Sequence, residues 1–357
     1  MHTFLKSLVA LLALLLPVTA LASEDVTIKG KDFYRDGARW LPKGIQIEGF
    51  NRPFGTYESV ASQASAKQGR SWWGITELDE IKRVFGADVI RFQVSQPGLD
   101  PQSPIYSPAY VSELHDAFKL ARSHGFVVIV SMDAQGENGI PNLPGMPNES
   151  TLRAWQTLAP PLLHDQGVML ELFNEPSRAN WDEARKEWAR EMQILIDGVR
   201  KMGSTNILLL DGLGYAQSTN DLFPLVHDRM GDRMALAVHP YFNGMKAEID
   251  KASFKPQDYF YNHFGASAAH PIVATEWNAT PTNGCVGKTT PTLALELMRY
   301  LESLHIGLVG WAIDSNYGKL VKDHTSFEPT DYSSFTGCTK TPSESGGGRL
   351  LANYPKD

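Results

Sequence analysis

The sequence has little of what metal, cofactor and nucleic-acid proteins require. It carries only two cysteines, Cys285 and Cys338, in 357 residues. No histidine or cysteine cluster has zinc spacing, no acidic loop has calcium spacing, and no glycine-rich turn is placed to cradle phosphate. No metal and no organic cofactor is therefore expected. Positive charge is short as well: 33 lysines and arginines face 40 acids, a formal charge of −7. That leaves no basic footprint for nucleic acid. Past the first 22 residues no apolar run approaches the roughly 20 residues that a membrane helix needs. Aromatic residues, by contrast, are abundant, and the eight tryptophans exceed what a core of this size needs.

The first 22 residues read as a secretory leader. Residues 1–6 are short and basic, 7–16 are almost purely apolar, and Ala20-Leu21-Ala22 fits the small-x-small cleavage rule. No cysteine lies at the cleavage point, which excludes a lipid anchor there. A mature, soluble, monomeric protein in the periplasm or outside the cell is expected. In such an oxidising compartment Cys285 and Cys338 are expected to pair, although sequence alone does not establish the geometry.

The rest reads as one domain, 23–357. Residues 26–40 alternate apolar and polar around Gly30 and Asp36-Gly37, a hairpin pattern. Eight short apolar segments follow, at 44–49, 88–94, 126–132, 168–173, 206–210, 234–238, 271–275 and 307–312. They suit strands covered on both faces. Helical patterns lie between them at 76–85, 108–123, 150–164, 181–202, 221–230, 258–268 and 291–304, with a short one at 349–354. Thr76 is placed to cap the first. This alternation specifies a (β/α)8 TIM barrel. A doubly wound open sheet is the alternative, but no glycine-rich turn follows the first strand. Two connections, 50–75 and 314–348, are long enough to be functional, and both follow strands.

The candidate chemistry sits at strand ends. Asn174-Glu175-Pro176 closes the fourth strand, because Pro176 cannot donate a ladder hydrogen bond. Glu276 ends the seventh. Two carboxyl groups on two strand tips of one barrel can flank a glycosidic bond, one as proton donor and one as nucleophile or base. Glu171 shares the strand face of Glu175 by period two and is a candidate partner for Arg91.

These residues resemble the cellulase-type family 5 glycoside hydrolases, of the clan of retaining (β/α)8 glycosidases, and the similarity runs from the hairpin to Trp311. The resemblance implies Glu175 as acid/base and Glu276 as nucleophile. It implies that Asn174 bonds the sugar 2-hydroxyl and that Arg91 supports Glu276. His239-Pro240-Tyr241 resembles the family's His-x-Tyr pair, with Tyr241 at the nucleophile and His239 near the acid/base. Trp311 resembles the tryptophan beneath the sugar at the cleavage point. One departure stands out: Asp133 occupies the place of the family's strand-three histidine. It is expected to face the cleft and help recognise sugar.

Trp72, Trp73 and Trp277 are further candidate sugar platforms, whereas Trp155 and Trp181 are expected in the core. Asn148 and Asn278 begin glycosylation sequons. The expected function is a secreted, retaining, endo-acting hydrolase of β-linked polysaccharide such as cellulose, β-glucan or mannan. A neighbouring clan family acting on an exopolysaccharide and a non-catalytic carbohydrate-binding barrel are the alternatives.

Overall fold

The computed structural model describes residues 25–54, 70, 72–135, 140, 143–315, 319–338 and 345–356. The expected leader, 1–22, and much of the first long connection lie outside them. Val26–Lys29 (β1), Asp32–Arg35 (β2) and Ala38–Trp40 (β3) form an antiparallel sheet, so the expected hairpin has a third strand. Its turns use left-handed backbone at Gly30, Asp36 and Gly37, a conformation glycine adopts without strain.

Eight parallel strands then close into a barrel in chain order. They are Lys43–Ile47 (β4), Val89–Ser95 (β5), Val127–Asp133 (β6), Val168–Glu171 (β7), Ile207–Asp211 (β8), Met234–Val238 (β9), Ile272–Trp277 (β10) and Gly307–Gly310 (β11), with β11 pairing back to β4. The expected TIM barrel is present, and β7 and β11 are shorter than their apolar runs.

The period of two along each strand divides the barrel interior into two zones. Near the strand starts, Val89, Ile129, Met169, Leu209, Ala237 and Val273 pack in one buried cluster with Val26, Ile28, Phe33 and Trp40 of the small sheet. That sheet closes the N-terminal end. It is fastened there by Trp40 Nε1 donating to Asp88 (2.9 Å) and by Arg35 Nη2 donating to the Gly125 carbonyl (2.8 Å). Two residues further along the same strands stand Arg91, Ser131, Glu171, Asp211, His239 and Thr275, all buried. The intervening residues, such as Ile90, Val128, Leu170 and Leu208, face outward into the larger core beneath the helices.

Among the described residues the helices are Ile75–Phe85 (α1), Gln96–Leu99 (α2), Pro108–Ser123 (α3), Glu149–Leu158 (α4), Trp181–Lys201 (α5), Pro256–His263 (α6), Thr290–Leu304 (α7) and Gly348–Ala352 (α8). Three helix boundaries need correction. Gly74, not Thr76, precedes α1, and no side chain caps it. The 150–164 pattern ends at Leu158, where Pro160 and Pro161 open a 3-10 turn. Likewise α6 stops at His263 and is followed by a separate turn over Gly265–Ser267.

The expected helix at 221–230 is reduced to the turn Phe223–Leu225. Side chains of α5 compete for this segment. Gln193 accepts from the His227 amide (2.8 Å), and buried Arg200 pairs with Asp228 at 2.6 Å. Tertiary contacts override a short local preference here.

Cys285 and Cys338 are joined, with Cα atoms 5.7 Å apart and 53 residues of separation. The bridge ties the segment after β11 to the segment after β10, and Tyr332 reinforces it by donating to the Ala279 carbonyl (2.7 Å). Closing a loop of that length stabilises by about 4 kcal/mol in the chain-entropy model. Cys285→Ser/Cys338→Ser should therefore lower unfolding free energy by roughly 2–4 kcal/mol in urea titrations. A double variant as stable as the parent would show that the bridge contributes nothing.

Candidate active site

Arg91, on β5 and with no exposed surface, is the hub of the C-terminal end of the barrel. Nε and Nη2 make a two-pronged contact with Glu171, each at 2.8 Å. Nη1 donates to Glu276 Oε2 at 2.7 Å and also to Gln46. Nη2 reaches Asn174 Oδ1 (2.7 Å) and Ser131 Oγ (3.0 Å). One planar guanidinium thus orients five groups from four strands or their ends, which a lysine ammonium could not do in that geometry.

Glu276 receives a second donor, the Tyr241 hydroxyl, at 2.9 Å on Oε1. Both oxygens of this nearly buried carboxylate are therefore held. Its aim depends on an irregularity in β10, whose register against β11 shifts between Ala274 and Trp277. A bulge re-aims side chains. Here it lets neighbouring Thr275 and Glu276 both reach the polar network. Thr275 Oγ1 donates to Glu171 (3.2 Å) and contacts His239 Nε2 (3.1 Å).

Glu175 lies beyond the end of β7 in left-handed backbone, φ 52°. That conformation costs on the order of 1–3 kcal/mol for a non-glycine residue. It is held by the Glu175 amide donating to Asp211 Oδ2 at 2.8 Å. The preceding Asn174 amide donates to the Met132 carbonyl at 2.7 Å. The Glu175 carboxyl meets His239 Nδ1 at 2.9 Å and Gln135 Nε2 at 2.5 Å. Oxygens of Glu175 and Glu276 and a His239 nitrogen all lie within 4.8 Å of one another. Glu175 and Asn174 also line a cavity of about 710 Å³ with Gln135, Arg178 and Tyr215.

Burial and charge set the protonation of this cluster. Burial alone would raise Glu171, yet the Arg91 guanidinium outweighs it and holds the carboxyl well below the carboxylate range. Asp211 is pushed up, first by burial and then by Glu171. Burial would lower His239, but Glu276 and Asp211, with contacts from Glu171 and Glu175, raise it overall. Two cations thus balance the acids in a water-poor interior. Glu171, Asp211 and His239 are close enough to share a metal ion, but Arg91 already supplies the positive charge facing Glu171.

Trp311, just past β11, donates from Nε1 to Glu48 Oε1 at 2.6 Å and meets Tyr241 edge-on at 6.5 Å. Asp133 is not open to the cleft as expected. It is 1 % exposed, and its oxygens accept from Gln93 Nε2 (2.8 Å), the Gln135 amide (3.0 Å) and Asn174 Nδ2 (3.5 Å). Gln135, Asp211 and Glu48 were not singled out in the sequence. Gln135 and Glu48 each follow a strand end closely, the only signal they carried.

The other tryptophans divide unexpectedly. Trp155 and Trp277 are buried, at 0 % and 1 %, so Trp277 is no platform, while Trp181, expected in the core, is 47 % exposed beside Gly214. Trp73 packs edge-on against Phe50 and Phe92. Trp72 stacks on His324 at 3.4 Å, joining the two long connections. Asn278 has no exposed surface, and Asn148 caps α4, so neither sequon is a free acceptor in the folded protein.

A closed parallel barrel with opposed carboxyl groups on two strand ends is the arrangement of glycosidic-bond hydrolysis. The sequence matches the family described as Cellulase (glycosyl hydrolase family 5) over residues 53–317, and the chain belongs to that family of glycoside hydrolases. Its fold is similar to a β-glucanase of Saccharophagus degradans in complex with cellotetraose, with 19 % identity, TM-score 0.64, and 92 % of this chain and 91 % of that one covered. It is also similar to the catalytic domain of a Thermobifida fusca endoglucanase, at 17 % identity and TM-score 0.60, covering 92 % and 96 %. A β-mannanase from Thermomonospora fusca aligns at 15 % identity and TM-score 0.58, covering 92 % and 99 %. No curated protein matches the sequence.

The buried cluster predicts how stability varies with pH. Glu171 binds protons more weakly when folded than when unfolded. Its contribution is therefore complete above its unfolded pKa and is lost as pH falls toward its folded value. Glu171→Gln should be less stable at neutral pH and lose less stability on acidification. Arg91→Met, which strands two buried carboxylates, should destabilise by about 3–5 kcal/mol. Urea unfolding across pH 3–7 measures both. Parallel curves for the Glu171 variant and the parent would contradict the first.

Proposed function

We propose that the protein is a secreted, endo-acting hydrolase that cleaves β-linked glucan or mannan with retention. The observation that carries this reading is the close approach of Glu175 and Glu276, within 4.8 Å between oxygens. Retaining glycosidases hold their carboxyl groups about 5–5.5 Å apart, whereas inverting ones need the wider gap that admits water. The β-glucanase, endoglucanase and mannanase of similar fold support the choice of polymer.

Glu276 attacks the anomeric carbon, since Arg91 and Tyr241 fix both its oxygens. Glu175 gives a proton to the departing oxygen and later takes one from the incoming water. His239 and Gln135 orient it. Asn174, fixed by Arg91, is offered to the sugar 2-hydroxyl, and Trp311 lies under the ring, where an indole face suits sugar C–H groups. Asp133 acts on the sugar through Asn174 and Gln135. The cavity beside Glu175 takes the leaving group, with Tyr215, 55 % exposed, and Trp181 as its aromatic surfaces. Surfaces extending past the cleavage point suit cleavage within a chain.

The two glutamates should respond differently to azide. Glu175→Ala should still be glycosylated by substrates with excellent leaving groups and should yield the β-glycosyl azide. Glu276→Ala should give the α-azide, if it gives product. NMR of the first-formed anomer tests the stereochemistry, and an initially inverted product from the parent would rule out retention. Asp133→Ala should raise KM on oligosaccharides by about tenfold, consistent with loss of about 1.4 kcal/mol of positioning. Parent-like kinetics would make Asp133 a bystander.

A further inference from the structure

Glu48 follows β4 at the C-terminal end of the barrel, where its carboxyl is half-buried between three strand ends. Oε1 accepts the Trp311 indole N–H at 2.6 Å, and the carboxyl also bonds the Ser315 side chain. The backbone below it is clamped. Buried Asp314 accepts from the Glu48 amide at 2.9 Å and from the Gly49 amide at 2.7 Å. Glu276 lies across the site, and the Tyr241 hydroxyl is close enough to feel the Glu48 charge. The groups that act on Glu48 most strongly are Asp314, Ser315, Glu276 and Trp311, none of them cationic.

We propose that Glu48 is a positioning and recognition residue for the glycone sugar: its carboxyl holds Trp311 in place and, carrying a proton, presents an O–H to a sugar hydroxyl. The inference rests on the glycosidase reading of Trp311 and Glu276. Two carboxyl groups facing one site do not both ionise readily. Arg91 and Tyr241 donate to Glu276, whereas among the described residues Glu48 receives an indole N–H and a hydroxyl. Glu48 therefore carries a proton. Burial first, and then Asp314, push its carboxyl up to about 8. A protonated carboxyl can donate one hydrogen bond while its other oxygen accepts; an ionised one only accepts.

The test separates Glu48 from the acid/base. Dinitrophenyl β-cellobioside and dinitrophenyl β-mannobioside need no proton from Glu175 to depart, so kcat/KM on them reports the glycone side. Between pH 7 and 9 kcat/KM of the parent should fall roughly tenfold, mostly through KM, as the Glu48 proton is lost. Glu48→Gln cannot ionise there. Whatever its level at pH 7, its ratio between the two pH values should stay within about twofold. Glu48→Asp should restore a fall. A profile of the same shape in parent and Glu48→Gln overturns the proposal. An infrared difference spectrum between parent and Glu48→Gln, taken across the same pH range, reads the carboxylic C=O stretch without turnover. A signal present at pH 7 and lost by pH 9 supports the proposal even if neither glycoside is cleaved, an outcome that would count against the proposed polymers instead. Absence of that signal at pH 7 overturns it.

Discussion

Everything at the catalytic end depends on placing one charge where water cannot reach it. Arg91 is fully buried, and removing a guanidinium from water carries a penalty of several kcal/mol even after relaxation. The barrel offsets that penalty by spending all three nitrogens on acceptors: Glu171, Glu276, Asn174, Gln46 and Ser131. The same contacts fix the positions of Glu276 and Asn174. Folding energetics and preorganisation of the site are therefore one network, in which a change made for one is felt by the other.

That network is possible because the interior changes character along the strand axis. Where the strands begin, apolar side chains and the small antiparallel sheet exclude water. One pleat further on, Arg91, Glu171, Asp211 and His239 face one another across the barrel. Polar groups at that level are tolerable only because each finds partners from neighbouring strands. Asp211 has one oxygen without a partner among the described residues, and its raised proton affinity keeps that oxygen from being a bare buried charge. His239, held between Glu175 and Thr275, links Glu175 to the Arg91 cluster through Glu171.

The loops add what the barrel lacks. The disulfide and the Trp72–His324 stack gather the segments after β4, β10 and β11 on one side of the carboxyl pair. The segment after β8 stands on the other. Its left-handed residues Gly214, Tyr215 and Ala216 turn the chain sharply, and the Tyr215 amide donates to the Pro176 carbonyl.

Much of this was legible in the sequence, because strand periodicity and proline placement are local. Eight doubly covered strands, the positions of Glu175 and Glu276 at strand ends, and the pairing of Arg91 with Glu171 follow from alternation and from the chemistry of Asn174-Glu175-Pro176. The helix at 221–230 was misread because its fate depends on Gln193 and Arg200, which reach it from another element. Trp181 was misread because a helix start can face solvent whatever the pattern of the helix. Tertiary structure alone decided the rest. The irregularity in β10 aims Glu276, left-handed backbone aims Glu175, and burial takes Asp133 away from the cleft. Glu48 gained its place only when the barrel closed and brought β4 beside β11. Such effects arise between strands far apart in the chain, so local sequence carries no record of them.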